Sequence, residues 1–162
     1  MIVVSDATPL NALIRIGEVD VLHKLFGSVL VPRAVFGELS RAETPNVVRE
    51  WVLSQPAWFE VRSVSLPDAS LPIKGRGERE AIQLAVETKA DLLLVDDKKA
   101  RSVAQRLGLR ITGTIGVLEL AATLGHTNLK LAFERLRETD FEVSEGLLQD
   151  ALEREAKRRS ET

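Results

Sequence analysis

The sequence predicts an α/β protein, a single three-layer α/β/α domain with a central parallel sheet. Short runs that are apolar at nearly every residue recur along the chain, at Ile2-Val3-Val4, at Val29-Leu30-Val31 and at Leu92-Leu93-Leu94-Val95. Stretches with helical periodicity separate them. Strands with no in–out alternation are covered on both faces, the signature of a parallel sheet held between helices. The chain has 162 residues, enough for one domain with a real core, and it contains no internal repeat.

Residues 2–5 form the first strand. Thr8-Pro9 opens a helix, because proline's fixed φ suits the first helical turn, and Gly17 ends it after Ile16. A second short helix covers 19–26, and 28–31 make another buried strand. Pro32 opens a helix over 32–42. Asn46 caps a short one through Leu53, and 58–64 are extended. The stretch 65–77, with Pro67, Pro72, Gly75 and Gly77, is a loop within the domain. Then follow helix 77–89, strand 92–95, helix 97–107, a brief strand at 109–112 and helix 115–124, stopped by Gly125. Helices at 129–138 and from Ser144 to Arg159 make 126–162 a C-terminal helical extension of the domain 1–162.

Composition narrows the chemistry. The hydrophobic fraction is 44% and the charged fraction 28%, both ordinary for a globular protein. No apolar run approaches the roughly 18 residues of a membrane span, and no basic segment precedes the first apolar stretch as in a signal peptide. A cytoplasmic protein is expected. The absence of cysteine excludes disulfides, thiolate metal sites and cysteine nucleophiles. With only His23 and His126 available, metal ligands would be oxygens, which favours Mg²⁺ or Mn²⁺. The net charge of −2 means that a polyanion would need a local basic patch.

Four acids stand where acids are costly. Asp6 and Asp96 each end an apolar strand, and ligands of parallel sheets bind beyond the carboxyl ends of strands. Glu38 falls in the stripe formed by Ala34, Val35, Leu39 and Ala42. Glu78 lies on the side of Ala81, Ile82, Ala85 and Val86, whereas Glu80 projects to the opposite face near Glu87. Two unit charges 4 Å apart repel by about 4 kcal/mol at an effective dielectric of 20. A divalent cation removes that repulsion and can activate water against a phosphodiester. Three of the acids also have a plain structural reading: Asp6 and Asp96 as helix caps, Glu78 as a carboxylate in a first helical turn.

No serine–histidine pairing, Walker motif or dinucleotide glycine pattern competes, and Gly75-Arg76-Gly77 is too short to count as one. After Asp96, the helix faces Lys98, Lys99, Arg101 and Arg106 outward. They are placed to hold a phosphate backbone or to form the solvated face of a crossover helix. Lys157-Arg158-Arg159 is a solubilising tail.

The segments "VVSDATPL", "VPRAVFGEL", "GRGEREAIQLA", "LLLVDDKKARSVAQRLGL" and "ITGTIGVL" follow one another in the order of PIN-domain proteins, and "FEVSEGLLQDAL" resembles a closing helix. The resemblance is strongest to a PIN-like subgroup related to VapC toxins. It implies the PIN-like fold and a Mg²⁺- or Mn²⁺-dependent ribonuclease. Such an enzyme is often the toxin of a toxin–antitoxin pair, acting as a homodimer with RNA and an antitoxin as partners. By position, Asp6, Glu38, Glu78 and Asp96 correspond to the four catalytic and metal-binding acids. Glu80 is open as an alternative third acid, and Asp97 as a fourth or an additional ligand. Thr8, Ser5, Thr112 and Thr114 are placed to bind a ligand or water. The apolar helices at 9–26 and 115–138 offer surface for a dimer or an antitoxin. Two rivals stand beside this reading: a non-catalytic PIN-derived interaction module, and a haloacid-dehalogenase-like phosphatase with Asp6 as nucleophile.

Overall fold

The architecture comes from a computed structural model that describes residues 1–66 and 68–161. Pro67, assigned to the loop by sequence, lies outside the described residues. Five strands form one all-parallel sheet: β1 (Val3–Ser5), β2 (Val29–Pro32), β3 (Phe59–Arg62), β4 (Leu92–Leu94) and β5 (Ile111–Thr112). Their order is β3-β2-β1-β4-β5. The strands are short and apolar because both faces are covered, and adjacent residues serve different cores. Val3, Val29, Val31 and Leu94 face one layer; Val4, Leu30, Leu93 and Val95 face the other.

The first layer is built from α1 (Ala7–Arg15), α2 (Asp20–Phe26), α3 (Arg33–Leu39) and α4 (Asn46–Ser54), which connect β1 to β2 and β2 to β3. The chain then crosses to the other face with α5 (Arg76–Glu87) and, after β4, α6 (Lys98–Arg106). The helices α7 (Thr114–Thr123), α8 (Leu129–Arg137) and α9 (Glu145–Ser160) return to the first face. There Phe133, Leu129, Leu136 and Leu148 are fully buried. The fold is thus the expected three-layer α/β/α arrangement.

Some elements are shorter than predicted. Helix α3 ends at Leu39, with Ser40 as its C-cap and turns following, so Ala42 is exposed beyond the helix and belongs to no stripe. The final strand is only Ile111-Thr112. The apolar sides of α1 and α2 are largely used inside the core, and the exposed apolar side chains of the later helices are Leu120, Leu124, Leu131 and Leu147. Among the described residues, no helix is long and apolar enough to cross a membrane.

Strand order places the reversal of connections between β1 and β4. From β1 the chain moves to β2 and β3 on one side; from β4 it moves to β5 on the other. At such a switch point the loops leave in opposite directions and open a crevice at the carboxyl ends. Ser5 pairs with Leu94, and the Asp6 N–H donates to the Leu94 carbonyl at 2.9 Å. The residues following both strands therefore emerge together into that crevice.

Candidate active site

Asp6 sits at the floor of the crevice and is 3% exposed. It occupies the N-cap position of α1, yet its side chain makes no capping hydrogen bond. Burial pushes its pKa up to about 7, and the nearby charges of Glu78, Glu38 and Asp96 push the same way. Only the Ala7 backbone N–H works against them. This carboxyl is desolvated by the sheet and given little in return.

Glu38 reaches the same place by a different route from the one the periodicity suggests. It is exposed, not part of an apolar stripe; Val35 and Leu39 are the buried residues of α3. Its carboxylate lies against α5. A Cβ added at Gly77 would come within 3.0 Å of Glu38 Oε2 and 3.8 Å of Asp6 Oδ1. The missing side chain at Gly77 lets the two carboxylates share one small space.

Glu78 and Glu80 separate cleanly. Glu78 lines the crevice with Glu38. Its pKa is raised by burial first, then by the charges of Asp97 and Glu38 and by contact with the Asp97 carboxyl. Glu80 does not reach the solvated face near Glu87 that its helical position suggests. It is 7% exposed and accepts from the Ala34 N–H at 3.3 Å and from Arg76 Nε at 2.9 Å. Helix α5 packs directly on α3, so the side predicted to be solvent is a helix–helix interface.

Asp96 is half-buried, and both its oxygens have donors. Thr114 gives its backbone N–H to Oδ1 at 2.8 Å and its hydroxyl to Oδ2 at 2.7 Å. Burial raises the Asp96 pKa, while these bonds and the Arg101 charge oppose the rise. A Cβ at Gly113 would fall 2.5 Å from Asp96 Oδ1, so glycine there keeps the Thr114 pairing possible. Asp97, not Asp96, caps α6 by accepting from the Ala100 N–H at 2.9 Å.

The expected phosphate-binding residues divide. Thr8 is exposed and lines the crevice on both sides. Lys98 lines only its larger part, and Lys99 lines neither part. Arg101 turns inward, donating to the Val95 carbonyl at 3.4 Å beside Asp96. Thr114 is fully buried on Asp96. Thr112 lines neither hollow; its Oγ1 would lie 2.1 Å from a Cβ on Gly116, so it packs against α7. Ser5 is also buried, donating to the Asp6 carbonyl at 2.9 Å. Sequence reasoning misses Arg33, Arg41 and Arg76 along the crevice and the spacing role of Gly77. The "GRGER" segment holds part of that signal, but nothing in the pattern says that α5 faces α3.

All-oxygen donors converging on one buried carboxyl suit a hard divalent cation. Among the described residues, however, no group of three or more such side chains is arranged as a ready-made metal site. Uncompensated carboxylates repel, and here Asp96 is turned to Thr114 and Glu78 to Asp97. The donors fit such an ion in kind and place, with Glu38 on an exposed side chain that can adjust. A family model described as PIN domain matches residues 2–157. No curated protein and no solved structure matches the chain.

Proposed function

This chain belongs to the PIN-domain family, whose members are generally nucleases, and on that premise we propose that it is a metal-dependent endoribonuclease hydrolysing RNA phosphodiester bonds. The observation that most supports this is Asp6, a carboxyl 3% exposed at the topological switch point with Glu38, Glu78 and Asp96 around it. In this reading those four acids hold Mg²⁺ or Mn²⁺, with Asp97 assisting through Glu78. A divalent ion there would polarise a phosphoryl oxygen and stabilise developing negative charge. The chain's own groups orient the rest. Thr114 and Arg101 fix the rotamer of Asp96. The Thr8 hydroxyl, open to the crevice, donates to a phosphate oxygen.

The test is cleavage of an RNA oligonucleotide by rigorously purified protein. EDTA abolishes cleavage, Mn²⁺ restores it and Asp6→Asn removes it; undiminished cleavage by Asp6→Asn would overturn the assignment. We further propose the toxin role in a type II toxin–antitoxin pair, as a homodimer. A small antitoxin-like reading frame beside this gene, and growth arrest relieved by its product, would bear that out. One observation favours a second reading, a non-catalytic interaction module: among the described residues, the carboxylates are not closed into a metal site. That module would take up no Mn²⁺ in calorimetry. A phosphatase would instead hydrolyse p-nitrophenyl phosphate through an aspartyl-phosphate at Asp6.

A further inference from the structure

We propose that the RNA strand enters between α3 and α5, with its phosphates held by Arg41, Arg33 and Arg76. This rests on the nuclease reading and adds to it the side of approach and the residues that grip the strand.

Two hollows meet at the carboxylates. The smaller, about 510 Å³, sets Arg33, Arg41 and Arg76 against Asp6, Glu38 and Glu78. The larger, about 900 Å³, has only Arg15, Arg41 and Lys98 against seven acids. Of those cations Arg15 is already paired with Asp140. A doubly charged ion at the shared carboxylates leaves the smaller hollow net positive and the larger one net negative. A polyanion is drawn to the first and repelled by the second.

The three arginines are also prepared for the task. Arg33 is fastened through Nε to Ser63 Oγ at 2.6 Å, and Arg76 through Nε to Glu80 Oε2 at 2.9 Å. Their terminal nitrogens have no partner among the described residues. A guanidinium anchored at Nε presents its remaining N–H groups as a fixed fork, the geometry that suits phosphate. Arg41 takes part in no ion pair among the described residues and lines both hollows, beside Glu38. Glu80 acquires a purpose here: it ties Arg76 to the start of α3, which makes it a positioning residue.

The experiment uses the full chain and a fluorescein-labelled single-stranded RNA dodecamer, measured by anisotropy over a salt series in Ca²⁺, and KM for cleavage in Mn²⁺. Removing one arginine that neutralises a phosphate should reduce the slope of log affinity against log salt by about 0.7. Arg41→Ala should therefore bind several-fold more weakly and raise KM. Arg33→Ala/Arg76→Ala should reduce the slope by about twice as much. Arg41→Lys should recover part of the affinity, and Mn²⁺ affinity by calorimetry should match the wild type. Lys98→Ala/Lys99→Ala is the opposing arm. If its slope falls while the arginine variants bind as wild type, the strand lies on the α6 side and the inference fails, with the nuclease reading intact. A wild type that neither takes up Mn²⁺ nor cleaves RNA removes the nuclease reading and this inference with it.

Discussion

Asp6 and Asp96 leave neighbouring parallel strands at the same level of the sheet, yet the chain treats them in opposite ways. Asp96 receives a backbone N–H and a hydroxyl from Thr114 and has Arg101 beside it. Asp6 is buried more deeply, caps nothing and has carboxylates for neighbours. The difference lies in what each adjacent strand delivers. On the Asp96 side, β5 ends in Gly113-Thr114, a bare backbone followed by a hydroxyl. On the Asp6 side, β2 leads into α3, which brings Glu38. A buried carboxylate given donors is an anchor; one denied them holds free energy that a cation can release.

The largest expected effect follows from exchanging each for its amide. Asp6→Asn should lower Mn²⁺-dependent cleavage by about a thousandfold or more, the scale of several kcal/mol of metal charge stabilisation forgone. The same change should raise the melting temperature of the metal-free protein near neutral pH, because the uncompensated charge is gone. Asp96→Asn should also abolish cleavage but lower the melting temperature, since the amide cannot accept both Thr114 bonds. Cleavage and stability thus separate at Asp6 and fall together at Asp96. Equal stability changes in the two variants would erase the contrast.

Titration sharpens the comparison next. The folded pKa of Asp6 is about 7, against an ordinary 3.8. Between those values the native state holds a proton that the unfolded chain has released. The metal-free protein should therefore become less stable as pH rises through that window, by up to about 4 kcal/mol from this group alone. Asp96 and Glu78, also raised, add in the same direction. Urea unfolding in EDTA between pH 5 and 8 measures the slope. Asp6→Asn should flatten most of it, and Mn²⁺ should reverse it by stabilising the ionised native state.

Smaller effects come from the two glycines that border these carboxylates. Gly113→Ala would thrust a methyl to 2.5 Å from Asp96 Oδ1, with Arg101 at 2.9 Å and the Val95 carbonyl at 3.4 Å closing the other directions. The expected cost is about 1–3 kcal/mol. At Gly77 the crowded atom is Glu38 Oε2, the free end of an exposed side chain. Gly77→Ala should leave unfolding within about 0.5 kcal/mol of wild type while weakening Mn²⁺ binding, because Glu38 must swing away from Asp6. Matching destabilisation at both positions would mean that the two carboxylates are equally constrained.

The same contrast explains how much of the fold and site is legible in residue order. Apolar continuity at Val3-Val4, Val29 to Val31 and Leu92 to Leu94 identifies buried parallel strands, because burial on both faces is recorded directly in residue type. Asp6 and Asp96 stand out for the same reason. Helix faces are less legible. Period alone places Glu38 in an apolar stripe reaching Ala42, because it does not say where a seven-residue helix stops. It sends Glu80 to solvent because no local pattern records that α5 lies on α3. Arg101 and Thr114 read as ligand-binding groups along the chain. In the fold they hold Asp96, a relation between β4, α6 and the end of β5 that exists only after the sheet has formed.

Glu78 and Glu80 repeat the distinction two residues apart, at lower stakes. Glu78 resembles Asp6: burial and the neighbouring charges of Asp97 and Glu38 raise its pKa. Glu80 resembles Asp96: it is buried and satisfied by Ala34 and Arg76. Glu78→Gln should weaken Mn²⁺ binding by about tenfold or more, since it removes one of the four proposed ligands and even an outer partner of a metal site counts for about tenfold. Glu80→Gln should leave Mn²⁺ binding unchanged, because its oxygens are already engaged away from Asp6. It should cost no more than about 1 kcal/mol of stability, as its partner Arg76 has a side chain 77% exposed and the pair is screened. Calorimetric titration of the two variants decides the assignment. Weaker metal binding in Glu80→Gln with no change in Glu78→Gln would exchange their places, and with them the face of α5 that meets the substrate.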